Sequence, residues 1–178
     1  GSVVHKRKHR VSEPIQNIVD GALIRQRPPF RLGIAVSESR LAHACTDISD
    51  GLPAACRNLL TNELGVVLDE ALIPIHPELR ALAHRLKLTP LQLSMAGGDW
   101  QFLYCIPKTH LPALRTIAES SDTPLTVVGE ITEEVGIWAK TLNGDRRKLR
   151  DIEHDSFAER VDGKSYFEFL SDPQELFE

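Results

Sequence analysis

The sequence lacks most of the signatures that reveal a function at sight. It has three cysteines, Cys45, Cys56 and Cys105, with no C-x-x-C pair among them. An odd number at such spacing argues against a zinc cluster or a disulfide framework and for a reducing, cytoplasmic setting. The seven histidines are scattered without an H-x-x-x-H pair, so none is assigned to a metal. No apolar run approaches the roughly 18 residues of a membrane span, and the polar, basic N-terminus is not a signal peptide. There is no G-x-G-x-x-G, no Walker-type lysine motif and no G-x-S-x-G, so the common nucleotide folds and hydrolase chemistry are not signalled. A net charge of -4 gives no general pull toward nucleic acid or an anionic membrane. Two basic clusters, Lys6-Arg7-Lys8 with Arg10 and Arg146-Arg147-Lys148 with Arg150, are not interleaved with aromatics. They read as solvated surface rather than as a grip on phosphate. Methionine is nearly absent too: Met95 is the single one, and the chain opens on Gly1-Ser2. Those two residues look like a cloning scar, and the chain is expected to be a piece of a longer protein.

What is present is the composition of an ordinary globular domain: 178 residues, 42% hydrophobic and 26% charged. Residues 1–27 read as a scar followed by a tail or linker, interrupted by an apolar stretch from Ile15 to Ile24, and Pro28-Pro29 marks a boundary. From there to residue 150, strand and helix patterns alternate. His43–Ile48 reads as a strand, and Leu52–Glu63 as an amphipathic helix ended by Gly65. Val66–Leu68 is a short strand and Pro77–Leu86 a helix. Thr89 caps a further helix with Pro90 at its first position, ending before Gly97-Gly98. Gln101–Ile106 is a strand, Leu111–Ser120 a helix, and Leu125–Ile131 and Val135–Ala139 are two more strands before the Asn143-Gly144 turn. The expected fold is α/β, a mixed sheet with helices packed on it in an α+β sandwich. Residues 151–178 form an extension carrying Phe157, Tyr166, Phe167 and Phe169. Cys45 and Cys105, set in apolar runs, read as small buried thiols.

Two motifs can carry chemistry. In Thr46-Asp47-Ile48-Ser49-Asp50-Gly51-Leu52, two carboxylates and a hydroxyl stand where a strand runs into a helix. Ser49 or Asp50 can simply cap the helix, since its first N–H groups favour negative partners. Alternatively Asp47 and Asp50 hold Mg²⁺, a hard cation that takes few carboxylates together with substrate phosphates, while Ser49 meets a phosphate. The spacing leaves both readings open. In Ser94-Met95-Ala96-Gly97-Gly98-Asp99-Trp100-Gln101, the glycine pair either lets backbone approach a ligand or ends a helix in a tight turn. Asp99 is then a turn residue, and Trp100 a partly buried anchor.

Taken in order, these segments resemble the C-terminal domain of the aminoimidazole-ribonucleotide synthetase-related superfamily, and within it the thiamine-monophosphate kinases. The matching segments are Asp47–Leu52, Gly65–Leu68, Gly97-Gly98 and Val127-Val128-Gly129-Glu130-Ile131-Thr132, spread over roughly residues 28 to 145. The resemblance implies two α/β domains, an N-terminal one that dimerises and carries much of an ATP site and a C-terminal one that closes the cleft. It implies that Asp47 and Asp50 bind Mg²⁺ and that Ser49 contacts ATP. Gly97, Gly98, Asp99 and Trp100 then face a small phosphorylated substrate, and the chemistry is direct phosphoryl transfer. The chain departs from the family's Gly-Gly-Glu-Asp-Tyr-Glu, reading Gly97-Gly98-Asp99-Trp100-Gln101-Phe102. One carboxylate is withdrawn by ~1 Å and two are lost, which is enough to change what fits. Trp100 either stacks on a ring or fills space, and Phe157 and Tyr166 are candidates for the family's C-terminal aromatic contact. The expected partners are the chain's own N-terminal domain and, through it, a second copy; neither nucleic acid nor a membrane is expected. Two alternatives stand beside the kinase: a synthetase-type relative, and a non-catalytic ligand-binding module of the same fold. The 178 residues alone are expected to be inactive.

Overall fold

The computed structural model describes residues 12–61, 63–151 and 172–178. The tail expected at the N-terminus contains a helix, α1, Glu13–Ile24, with Pro14 in its first turn. Ile15 and Val19 lie one helical turn apart, and both are buried against Leu82. A second helix absent from the expectation, α2, Phe30–Ser39, begins directly after the proline pair, with Pro29 as its N-cap. Proline disfavours helix in the residue before it but suits the start of a helix, so the pair opens an element instead of interrupting the chain. Leu32 and Val36 are the buried face of α2.

Strand β1, Ala44–Asp47, is followed by helix α3, Leu52–Leu59, which is four residues shorter than its periodicity suggests because Leu60 turns to extended backbone. Gly65 does not end that helix; it opens strand β2, Gly65–Asp69. A β-carbon there would overlap the carbonyl oxygens of Glu134 and Gly136, so the glycine serves close backbone approach. After a 3-10 turn at Glu70–Leu72 come α4, Pro77–Arg85, and α5, Pro90–Ser94. The start of α5 is a complete capping box between Thr89 and Gln92. Strand β3 is Phe102–Cys105 and helix α6 is Leu111–Ser120, the second as expected. The strand expected from Leu125 pairs only from Gly129, as β4, Gly129–Thr132. It is followed by β5, Gly136–Lys140, and β6, Arg146–Lys148.

The strands form two sheets. β1 and β3 pair antiparallel, and a mixed sheet runs in the order β4-β2-β5-β6, with β2 parallel to β5 and antiparallel to β4. Helices α2 and α6 cover one face of β1–β3 through Leu32, Val36, Leu114 and Ala118, with Tyr104 and Ile106 packed against them. The main core lies around the mixed sheet, joining Cys56, Val66, Leu68, Leu91, Ala139 and Leu176. Among the described residues no helix is long and apolar enough to cross a membrane.

The basic cluster after the Asn143-Gly144 turn is not simply solvated. Its side chains hold the C-terminal segment, whose Phe177 bridges to Leu149 beyond β6. Arg147 stacks over the Phe177 ring at 4.1 Å, Lys148 pairs with Glu178 at 2.7 Å, and Arg150 Nε donates to the Phe177 carbonyl at 2.7 Å. The thiols also differ from expectation. Cys56 is the buried one, its pKa pushed up to about 12 by burial, whereas Cys45 is exposed and Cys105 is half-buried. β1–β3 is a thin two-stranded layer whose strands bury no residue fully, so an apolar run there does not guarantee a buried side chain. The cluster at Lys6–Arg10 and the aromatics Phe157, Tyr166, Phe167 and Phe169 lie outside the described residues.

Candidate functional site

Antiparallel pairing places Asp47, the last residue of β1, opposite Phe102, the first of β3. The loop leaving β1 and the loop entering β3 therefore emerge side by side at one end of the small sheet. Two backbone hydrogen bonds extend the contact past the strands: Ile48 N–H to the Gln101 carbonyl at 2.8 Å, and Gly98 N–H to the Ser49 carbonyl at 2.6 Å. The two motifs that the sequence shows as separate are thus one site.

The first loop is built for charge. The Asp47 carboxyl is held below its ordinary value, chiefly because the Ser49 hydroxyl donates to it, with further help from its own and Ser49's backbone N–H and from Thr46. Each of these bonds favours the ionised form over the neutral acid. Neither Ser49 nor Asp50 caps α3. The N-cap is Gly51, so neither of them occupies the cap position. Gly51 has φ +88°, and a β-carbon on it would lie 2.5 Å from the Met95 carbonyl oxygen at the end of α5. Only glycine fits that point.

The second loop is open and strained. Helix α5 stops at Ser94, so Gly97-Gly98 is not its cap, and Gly98 takes φ +97° with open space where a β-carbon would sit, the Gln26 amide lying 3.9 Å from that point. Gln26 Nε2 donates to the Gly98 carbonyl at 2.9 Å. Asp99 is exposed, although partial loss of solvent pushes its carboxyl up from the usual range. Trp100 is 43% exposed at φ +51°. A bulky residue in the left-handed region costs about 1–3 kcal/mol and persists only where the surroundings impose it. Trp100 is thus partly buried, as expected of an anchor, and presents the rest of its ring to solvent.

Sequence reasoning missed Gln26, which lies ahead of the proline boundary, and missed the seat of Gly51 against Met95. Both are contacts between distant segments with no local signal. A cavity of about 480 Å³ lies elsewhere, between β3 and β4, lined by Cys56, Leu60, Leu103, Leu114, Leu125 and Val127; it holds none of the predicted site residues. Among the described residues no three His, Cys, Asp or Glu side chains gather as a metal cage.

Helices layered on a mixed sheet, with a carboxylate loop clasped to a glycine loop, define an α/β domain whose site sits at loop ends. The chain belongs to the family described as AIR synthase related protein, C-terminal domain, whose model matches residues 2–139 and so takes in α1 and α2. It is 27% identical over 124 residues to the thiamine-monophosphate kinase of Rhodopirellula baltica, covering 67% of this chain and 38% of that protein. The thiamine-monophosphate kinase of Methanopyrus kandleri is 27% identical over 115 residues, 64% of this chain and 34% of the relative. A crystal structure of thiamine-monophosphate kinase from Stenotrophomonas maltophilia K279a superimposes with a TM-score of 0.61 at 26% identity, covering 74% of this chain and 41% of that one. The chain thus spans little more than a third of the length of the curated relatives it matches.

Proposed function

We propose that this chain is the C-terminal, metal- and substrate-facing part of an ATP- and Mg²⁺-dependent phosphotransferase of the thiamine-monophosphate kinase type. One observation carries the reading: the Gly98–Ser49 hydrogen bond, which sets a presented aromatic and a glycine loop directly beside an ionised carboxylate loop. The donor set fits the cation. Asp47 is kept ionised, Asp50 lies three residues on, and both offer the hard oxygens that Mg²⁺ takes in small number while keeping waters and phosphate oxygens as its other ligands. When bound, Mg²⁺ would supply neutralisation of the charge that develops during phosphoryl transfer.

The chain's own residues do the rest. Ser49 orients Asp47 and keeps it charged. Gly97 and Gly98 let a substrate come close to backbone, and Trp100 offers a face on which a planar ring can stack. The substrate is a small phosphorylated molecule, and the remainder of the ATP site comes from an N-terminal domain that also brings two copies together. A cytoplasmic setting fits the three free cysteines.

A second reading has one specific support: where the family has its second and third acidic residues after the glycines, Trp100 and Phe102 stand here. That favours a module that binds its ligand without turning it over. Calorimetric titration of ATP into the full-length protein, with and without Mg²⁺, tests the proposal. Mg²⁺-dependent binding should be abolished by Asp47→Asn combined with Asp50→Asn. Binding that ignores both the metal and the double substitution would end the enzyme reading. Binding that obeys them without any phosphoryl transfer would support the module.

A further inference from the structure

Two polar or charged side chains are buried among the described residues, Glu70 and Gln92, each 3% exposed. Both converge on the first turn of α5. Gln92 closes the capping box with Thr89: its Oε1 accepts from the Thr89 N–H at 2.8 Å, and its own N–H reaches the Thr89 hydroxyl at 3.2 Å. Glu70 Oε1 accepts the Leu91 N–H at 3.1 Å, and Glu70 Oε2 accepts the Leu142 N–H at 3.0 Å. A buried carboxylate is costly unless it is fully bonded, and this one ties a five-residue helix to the turn after β5.

So short a helix has no stability of its own, and its hydrophobic contribution comes mainly from Leu91 and Met95. What it carries at its far end explains the fastening. The Ser94 and Met95 carbonyls form the wall against Gly51, which closes the carboxylate loop. The chain then runs directly into Gly97-Gly98, whose N–H holds Ser49. α5 is a wedge between the two site loops, and its other end is anchored to the mixed sheet through Glu70.

We infer that Glu70 is a positioning residue for the candidate site: through α5 it sets the place of the Gly97–Trp100 loop relative to Asp47–Asp50. The inference rests on the proposed function for what the loops do, but the placement itself is measured without metal or nucleotide. Amide hydrogen exchange, read by NMR, reports it at Gly98, and Trp100 emission, read throughout in a Trp138→Phe background because Trp138 of β5 also emits, reports it in the same loop. Glu70→Gln keeps shape and one acceptor oxygen but sets an amide N–H₂ against one of the two backbone donors. Gly98 exchange should quicken by about tenfold or more beyond any change at the β2–β5 ladder, with a shift in Trp100 emission. Ile137→Val, which loosens the core shared by the sheet and α5 without breaking a hydrogen bond of Glu70, should move Gly98 and the ladder together. If Glu70→Gln does not fold, Thr89→Ala removes the hydroxyl half of the clamp and should still quicken Gly98 by about threefold over the ladder. Gly98 exchange that merely follows the ladder in the folded variants overturns the inference. A loosened Gly98 in a protein with no Mg²⁺-dependent nucleotide binding would leave Glu70's role intact and remove the proposed function instead.

Discussion

The two sheets use their residues in opposite ways. The centre of the mixed sheet is sealed: Leu68 of β2 and Ala139 of β5 are fully out of solvent under Leu176, and its strands carry none of the predicted site residues. The β1–β3 pair has no fully buried residue in either strand, yet both site loops leave from one of its ends. A protein that must hold a charged and strained pair of loops needs a part that does not yield, and here that part is next door. Stability and chemistry are segregated, and α5 connects them.

Substitutions of graded effect test this division. Leu176→Ala empties a fully buried position in the sealed half. It should cost about 3–4 kcal/mol and lower the melting temperature by ~10 °C, as read by calorimetry. Below that transition Trp100 emission should be unchanged; a shift in the folded state would show that the halves are not separable. Gly51→Ala faces both φ +88° and a carbonyl oxygen at 2.5 Å, and should cost about 3 kcal/mol with Trp100 emission altered. Gly98→Ala has a similar φ, +97°, but open space, so the expected cost is only about 1–2 kcal/mol. If the two alanines cost the same by chemical denaturation, backbone conformation and not the Met95 wall governs the site.

The smallest effect belongs to Tyr104, whose buried hydroxyl has no hydrogen-bond partner among the described residues. Burial first, and the neighbouring Cys45 second, push its pKa up to about 12 from an ordinary value of 10.0. The unfolded chain therefore releases this proton first. Stability falls as pH rises from the ordinary value toward the folded one and is fully present below that window. Tyr104→Phe should be neutral or stabilising by up to ~1 kcal/mol at neutral pH and should flatten the alkaline decline. A clear loss of stability would mean that the hydroxyl has a partner after all.

Local signals were legible in the chain. The Thr89-Pro90 start of α5, the register of apolar residues along α4 and α6, and the strand running into Asp47–Gly51 are each set by neighbours within a turn or two. What escaped was set at a distance. Helix α2 hid behind Pro28-Pro29 because the same prolines can end an extended segment or begin a helix. Gly65 reads as a helix end until Glu134 and Gly136 are placed beside it. Apolar character at Leu125–Val128 announced neither burial nor a full strand: those residues line a cavity ahead of β4 and stay half-buried or exposed. The candidate site was legible as two motifs and not as one, because backbone bonds, Ile48 to Gln101 and Gly98 to Ser49, make the union and side-chain identity does not record them.

The clasp of the C-terminal segment on β6 also decides how copies of this domain can meet. Glu178 N–H bonds the Lys148 carbonyl and Arg150 N–H the Leu176 carbonyl, so that border of the sheet already has its partner and offers no template to another chain. Among the described residues no strand pairs with the opposite border, β4, which shows Ile131 to solvent. Glu130 lies in that strand, and Glu133 and Glu134 follow it. Glu130 pairs with Lys108 and Glu134 with Arg146, so a second molecule adding along this edge would meet ion pairs already made within the chain. The sheet is thus stoppered on one side by its own chain end, while the acidic groups at its other side are held by the chain's own cations.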